Sequence, residues 1–187
     1  MSYYTYEELK KMGFKNVGFD VKVSTKASIY DCEKISIGNN SRIDDFCVIS
    51  GKVEIGSNVH ITPFCLVAGG LKGVFLEDFT TLAYGVKIFS QSDDYSGETL
   101  TNSTIPKKFK NEYMKEVIVK QHSIVGAGSV IMPGVTLEIG TSIGAMSLVL
   151  KSTQAWGIYV GIPAKKIKNK KQDLLELKKE FLLESHI

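Results

Sequence analysis

From Ile37 onward an aliphatic residue recurs every six positions, at Ile43, Ile49, Ile55, Ile61 and Val67. The same beat returns at Val119 and runs through Val125, Ile131, Leu137, Ile143 and Val149. Four residues after each beat comes a small or β-branched side chain. In the first run these are Ser41, Cys47, Val53, Val59 and Cys65; in the second, Ser123, Ser129, Val135, Thr141, Ser147 and Thr153. A six-residue period cannot keep one face on a helix of 3.6 residues per turn. Two inward columns at that period instead predict an all-β solenoid of hexapeptide repeats. Three strand-plus-turn units close a triangular coil of about eighteen residues, and coils stack through parallel backbone hydrogen bonds. Gly38, Gly56, Gly126, Gly140 and Gly144, with Asn39, Asn40 and Asn58, fall between the beats, where tight corners call for positive φ.

The flanks of the periodic region read differently. Thr5-Tyr-Glu-Glu8 is a capping-box pattern that predicts a short helix to about Met12, stopped by Gly13. Residues 1–22 form this helix and cap, shielding the open edge of the first coil. The solenoid then spans 23–153, beginning with a less regular turn at Val23, Ile29 and Ile35. Ala68-Gly-Gly-Leu-Lys-Gly73 delays the rhythm by three residues before it resumes at Leu76, Leu82 and Ile88, with Thr80 and Val86 in the small column. Over 89–116 the period is lost. A regular coil needs no such excursion, and Tyr95, Leu100, Ile105, Phe109 and Tyr113 inside it argue for an ordered, functional loop. Residues 154–187 lead out of the prism into an amphipathic helix over 173–184, with Leu174, Leu177 and Phe181 on one stripe.

Composition narrows the function classes. The 187 residues carry a formal net charge of +3 with both signs well mixed. There is no basic, aromatic-interleaved stretch of the nucleic-acid-binding kind, and no apolar run near the length that inserts into a membrane. A cytoplasmic location is the default expectation. Of the three cysteines, Cys47 and Cys65 fall one coil apart, which predicts a reduced ladder in the core.

Two stretches carry a resemblance. Val125-Gly-Ala-Gly-Ser-Val-Ile-Met-Pro-Gly-Val-Thr136 and Val160-Gly-Ile-Pro-Ala-Lys165 resemble the hexapeptide-repeat acyltransferases, most closely the galactoside, maltose and xenobiotic O-acetyltransferase branch. The resemblance covers about residues 35–168. It implies a left-handed parallel β-helix, acetyl-CoA as co-substrate with no metal, and a homotrimer with active sites between subunits. It places Ala127 and Ala145 along the pantetheine arm, where small side chains leave room for it. Lys165 and Lys168 fall near the nucleotide end, where phosphate wants a cation. His60, followed by Thr62, aligns with a position facing the acceptor. In that branch a catalytic histidine sits in the mid-chain loop; counting from Ile88, this chain has Asp93 there, followed by Asp94 and Tyr95.

A carboxylate at its ordinary pKa is a weak base for a hydroxyl acceptor, so it needs a raised pKa to serve. The expected activity is direct acetyl transfer to a sugar hydroxyl, in surface polysaccharide biosynthesis, with His60, Asp93 and Asp94 as candidate catalytic groups. The alternative is N-acetylation of an amino-sugar nucleotide, with an aspartate binding the amine. A second alternative is a non-catalytic solenoid that binds coenzyme A or a partner. No serine or cysteine sits in a nucleophile motif, which disfavours a covalent intermediate. His122 falls in a corner beside Val125, and His186 lies in the C-terminal tail.

Overall fold

A computed structural model describes residues 2–184. The chain is a three-sided parallel β-helix whose faces are two sheets of six strands and one of eight. The first face runs from Asn16–Val17 through Ile35–Ile37, Val53–Ile55, Val74–Leu76 and Val117–Val119 to Thr136–Leu137. The second face holds His60–Ile61 between Arg42–Ile43 and Thr81–Leu82; the third holds Lys87–Phe89 between Leu66–Ala68 and Val130–Ile131. Equivalent beats of successive coils stack in register: Ile43 on Ile61, Ile61 on Leu82, Leu82 on Val125, and Val125 on Ile143. These residues and the small column between them are buried and make one continuous core. Its driving force is apolar area removed from water, about 25 cal/mol per Å2.

The expected irregularities have local causes. The phase slip before Ile37 is taken up by a one-turn 3-10 helix at Cys32–Lys34, entered through Asp31 at φ 59°. The three-residue delay becomes a turn closed by Gly73 N–H donating to Gly69 O. The excursion over 89–116 is built on an antiparallel pair, Gln91–Ser92 with Tyr113–Met114, and a 3-10 turn at Lys107–Phe109. The helix α1 (Tyr6–Lys11) carries the full capping box, and its Leu9 enters the core. Cys47 and Cys65 are free and buried, and their thiols donate to the carbonyls of Thr62 and Ala83. The hydrogen bond with Cys65, and burial, hold the Cys47 thiol far above its ordinary pKa, so it stays protonated.

One corner expectation needs correction. Positive φ belongs to Gly140, as expected, to the residues two positions past Gly38, Gly56 and Gly126, namely Asn40, Asn58 and Gly128, and also to Phe46, Phe64, Phe79 and His122. Gly38, Gly56, Gly126 and Gly144 do not have positive φ. They are small because corners of successive coils touch there; a Cβ on Gly38 would lie 2.6 Å from the backbone of Gly56.

After Trp156 the chain adds a further parallel strand to the second face: Gly157–Val160 pairs with Ser142–Ile143. It then folds back as the antiparallel strand Lys165–Asn169. The helix α2 (Leu174–Glu184) packs beside an aromatic column of Phe79, His122 and Trp156, with Phe181 edge-on to Phe79 at 6.1 Å. No helix among the described residues is long and apolar enough to cross a membrane. His186 lies outside the described residues.

Candidate active site

The site residues named from the sequence fall into three groups. On the outer surface of the second face, Lys22, Arg42, His60 and Thr81 form one column, each in register with the next. Alternation along a strand turns these side chains outward while Val23, Ile43, Ile61 and Leu82 point into the core. His60 is half-exposed and its Nε2 lies 2.8 Å from Oδ2 of Asp44. Asp44 is buried, and its Oδ1 accepts from Arg42 Nε at 2.6 Å and from Tyr3 Oη at 3.4 Å. Thr62 does not join them: its hydroxyl is buried and donates to Leu82 O at 2.9 Å. That bond ties one coil to the next and uses the hydroxyl's proton.

The second group is the excursion loop. Asp93, Asp94 and Tyr95 are together, but they do different work. Asp94 accepts from Ser96 N–H at 2.8 Å and from Thr99 Oγ1 at 2.9 Å. The backbone bond to Ser96, supported by the hydroxyls of Ser96 and Thr99, holds its carboxyl below the usual aspartate range. A carboxylate so stabilised is an anchor for the turn and a poorer base still. Asp93 carries no such bonds; with Ser92, Tyr95, Glu112, Phe89 and Met132 it lines a cavity of about 440 Å3. Tyr95 is 91% exposed and borders the same space. Glu112 is paired with Lys110 at 3.1 Å, and the Lys110 side chain is only 6% exposed. This pair stiffens the loop from inside and neutralises Glu112.

The third group follows the edge between the second and third faces and continues into the hairpin. Ala127 and Ala145 sit at successive corners, joined by Met146 N–H donating to Ala127 O at 2.8 Å. Lys165 and Lys168 are exposed on the return strand, opposite Val160 and Ile158. Small residues therefore line a track that ends at a basic hairpin. Two half-buried aromatics lie near this end. Trp156 stacks near His122, and the Tyr159 hydroxyl accepts from Gln154 N–H at 2.7 Å. His122 is itself buried, and desolvation with the Lys178 and Lys170 charges lowers its pKa. It packs as a neutral ring.

One protomer keeps the second-face group and the loop on different sides of the prism. Arg42, Asp44, Lys110 and Glu112 were missed by sequence reasoning. A signal existed for Asp44: the residue after each beat is Thr62, Ala83, Gly126 or Gly144 in other coils of this face, and a charge there is out of place. Lys110 and Glu112 lie where the period is lost, so no column exposes them.

Comparison with known proteins gives the family of the chain. Residues 34–69 match the family model described as bacterial transferase hexapeptide (six repeats). A dTDP-4-amino-4,6-dideoxy-D-glucose acyltransferase of Escherichia coli is 42% identical over 183 residues, covering 97% of this chain and 95% of that one. The crystal structure of AntD, an N-acyltransferase from Bacillus cereus in complex with dTDP and 3-hydroxybutyryl-CoA, is 47% identical. It superposes with a TM-score of 0.97, covering 100% of this chain and 99% of that one. A maltose O-acetyltransferase from Clostridium difficile shares the fold, at 23% identity and a TM-score of 0.57, over 89% of this chain and 75% of that one.

Proposed function

The chain belongs to the hexapeptide-repeat acyltransferases, and from that premise we propose that it transfers an acyl group from a coenzyme A thioester to the amine of a dTDP-linked amino sugar. This moves the reading from a hydroxyl to an amine acceptor. One observation carries it: the loop presents Asp93, a carboxylate facing a cavity, at the place where resemblance to the hydroxyl-acetylating branch implies a histidine. A carboxylate is a weak base for a hydroxyl but a good ligand for an ammonium or amine group. The high identity to an enzyme named for a dTDP-amino sugar, and to an N-acyltransferase in complex with dTDP, points the same way.

The donor lies along the corner track, with its pantetheine arm past Ala127 and Ala145 and its phosphates near Lys165 and Lys168. Asp93 binds the acceptor nitrogen, and Tyr95 closes over the sugar. The amine nitrogen attacks the thioester carbonyl, a corner backbone N–H stabilises the developing oxyanion, and the C–S bond breaks to release the thiol. The acyl group is acetyl or a short relative of it.

The complete site needs a second copy of the chain. Val48, Leu66, Val130 and Leu148 face outward on the third face, and Phe46, Phe64, Tyr84 and Met146 stand exposed along its corner. This apolar stripe, broken by Lys87 between Leu66 and Val130, is of a kind that soluble proteins cover. A homotrimer covers it and brings the loop of one copy to the second face of the next. The amide product remains an activated nucleotide sugar, suited to glycosyl transfer into a surface polysaccharide in the cytoplasm.

The test is free-thiol release with acetyl-CoA against two matched acceptors, dTDP-4-amino-4,6-dideoxyglucose and its 4-hydroxy counterpart. Turnover confined to the amine is expected. Turnover confined to the hydroxyl sugar would return the reading to O-acylation.

A further inference from the structure

Asp44 is 2% exposed. A buried charge is costly unless it is paired and hydrogen-bonded, and the Arg42 guanidinium at 2.6 Å already provides that. His60 is an additional partner, held at 2.8 Å from the other carboxylate oxygen. We propose that Asp44 is a positioning residue that fixes the His60 imidazole as its Nε2–H tautomer and leaves Nδ1 as the proton acceptor for the attacking amine. This deepens the acyl-transfer reading above and rests on it.

The reasoning runs through hydrogen-bond capacity. An ionised carboxylate only accepts hydrogen bonds. Arg42 is a permanent cation and donates to Oδ1 of Asp44, which leaves Oδ2 to accept from the ring. The nitrogen of His60 that faces Asp44 must then carry the proton. In a neutral imidazole the other nitrogen is left with a lone pair. His60 stands in the outward column between Arg42 and Thr81, half-exposed, so Nδ1 is reachable from the face that the neighbouring copy's loop approaches. In the reaction the amine nitrogen forms the C–N bond and its proton moves to Nδ1. The C–S bond breaks, and the same proton passes to the departing coenzyme A sulfur, giving amide and thiol with His60 neutral again.

A tautomer held by a buried carboxylate is a different thing from a carboxylate that merely packs, and two measurements separate them. The chain has three histidines, so long-range proton–nitrogen spectra of the 15N-labelled full chain at pH 8 can be assigned with His60→Gln and His122→Gln. Protonated Nε2 and unprotonated Nδ1 at His60 are expected in the wild type. Asp44→Asn is expected to mix the tautomers and lower kcat about ten- to hundredfold, with KM for the amino sugar changed by less than about threefold. In a His60→Ala background the same substitution is expected to cost nothing further, because its effect passes through the ring.

A wild-type ring protonated on Nδ1 would overturn the proposal without the Asp44 variant, even if Asp44→Asn fails to fold. An equal loss of kcat in both backgrounds would also overturn it and leave Asp44 purely structural. If the wild type acylates no amine, the acceptor reading fails, and the tautomer still decides whether Asp44 orients His60.

Discussion

Replacing Asp93 by Asn removes one charge from the cavity wall and nearly nothing of its shape. The neighbouring carboxylate cannot take over, because Glu112 is neutralised by Lys110 at 3.1 Å. Asp94 cannot either, since Ser96 and Thr99 occupy both of its oxygens. The loss is therefore that of one charge-assisted hydrogen bond to the acceptor nitrogen, about 1.5–3 kcal/mol. At about 1.4 kcal/mol per decade this lowers kcat/KM for the amino sugar roughly 10- to 150-fold. The assay is thiol release at saturating acyl-CoA and varied acceptor. Asp94→Asn serves as the contrast: it keeps one acceptor oxygen for the turn, so it should change kcat/KM by less than about fivefold. It should lower the protection of the Ser96 amide from hydrogen exchange. If Asp94→Asn is the crippling substitution and Asp93→Asn is silent, the division of labour drawn from their hydrogen bonds is wrong.

Three further outcomes follow from other parts of the molecule. Lys165→Glu puts a like charge at the end of the corner track and is expected to raise the calorimetric Kd for coenzyme A by about tenfold; an unchanged Kd would place the nucleotide elsewhere. Gly126→Ala would set its Cβ 2.5 Å from the Ala145 backbone nitrogen, which cannot swing aside. It should cost about 1–3 kcal/mol, seen as a Tm drop of roughly 2–4 °C per kcal/mol, and weaken coenzyme A binding. The third concerns pH. Burial, then Lys178 and Lys170, lower the pKa of His122. Below about pH 6.5 the unfolded chain therefore binds a proton that the folded chain refuses, and stability falls as pH drops. Glu8, Asp31, Asp45 and Asp94, all held below their ordinary values by hydrogen bonds, add a second loss below about pH 4. His122→Phe keeps a ring between Phe79 and Trp156, so it should flatten the first loss alone. A Tm difference from the parent that does not grow between pH 8 and pH 5.5 would refute this.

What could be read from the sequence was whatever repeats. The beats, the small column, the Cys47–Cys65 ladder and the break over 89–116 are periodic facts, and each coil confirms the next. The capping box of α1 and the end helix α2 are local patterns and were equally legible. Corner conformation was not: Phe46 and Phe64 adopt φ near 60°, where Gly or Asn would be expected, and their rings stack at 5.2 Å across coils. Stacking between coils offsets the local strain, a tertiary effect that no single hexapeptide shows. His60 was found through its place on the strand, whereas its partner Asp44 required comparing the same position across coils. Inside the loop there is no period, so the Lys110–Glu112 pair and the contrast between Asp93 and Asp94 came only with the three-dimensional arrangement. Asp94-Tyr-Ser96 is an Asx turn, a local pattern of the sequence.

The central claim is that Asp93 of one copy and His60 of the next serve one site. It is tested most directly by mixing two crippled chains. Asp93→Asn and His60→Ala proteins would be unfolded, combined in equal amounts and refolded together. Acyl transfer to the amino sugar would then be assayed well below KM, where each variant alone should retain about a tenth of parental activity or less. In a closed ring of randomly associated copies, about one site in four pairs an intact loop with an intact second face. Recovery of about a quarter of parental activity is the expected result. Activity no higher than the mean of the two separate variants would show that each chain builds its site alone and would contradict the shared site.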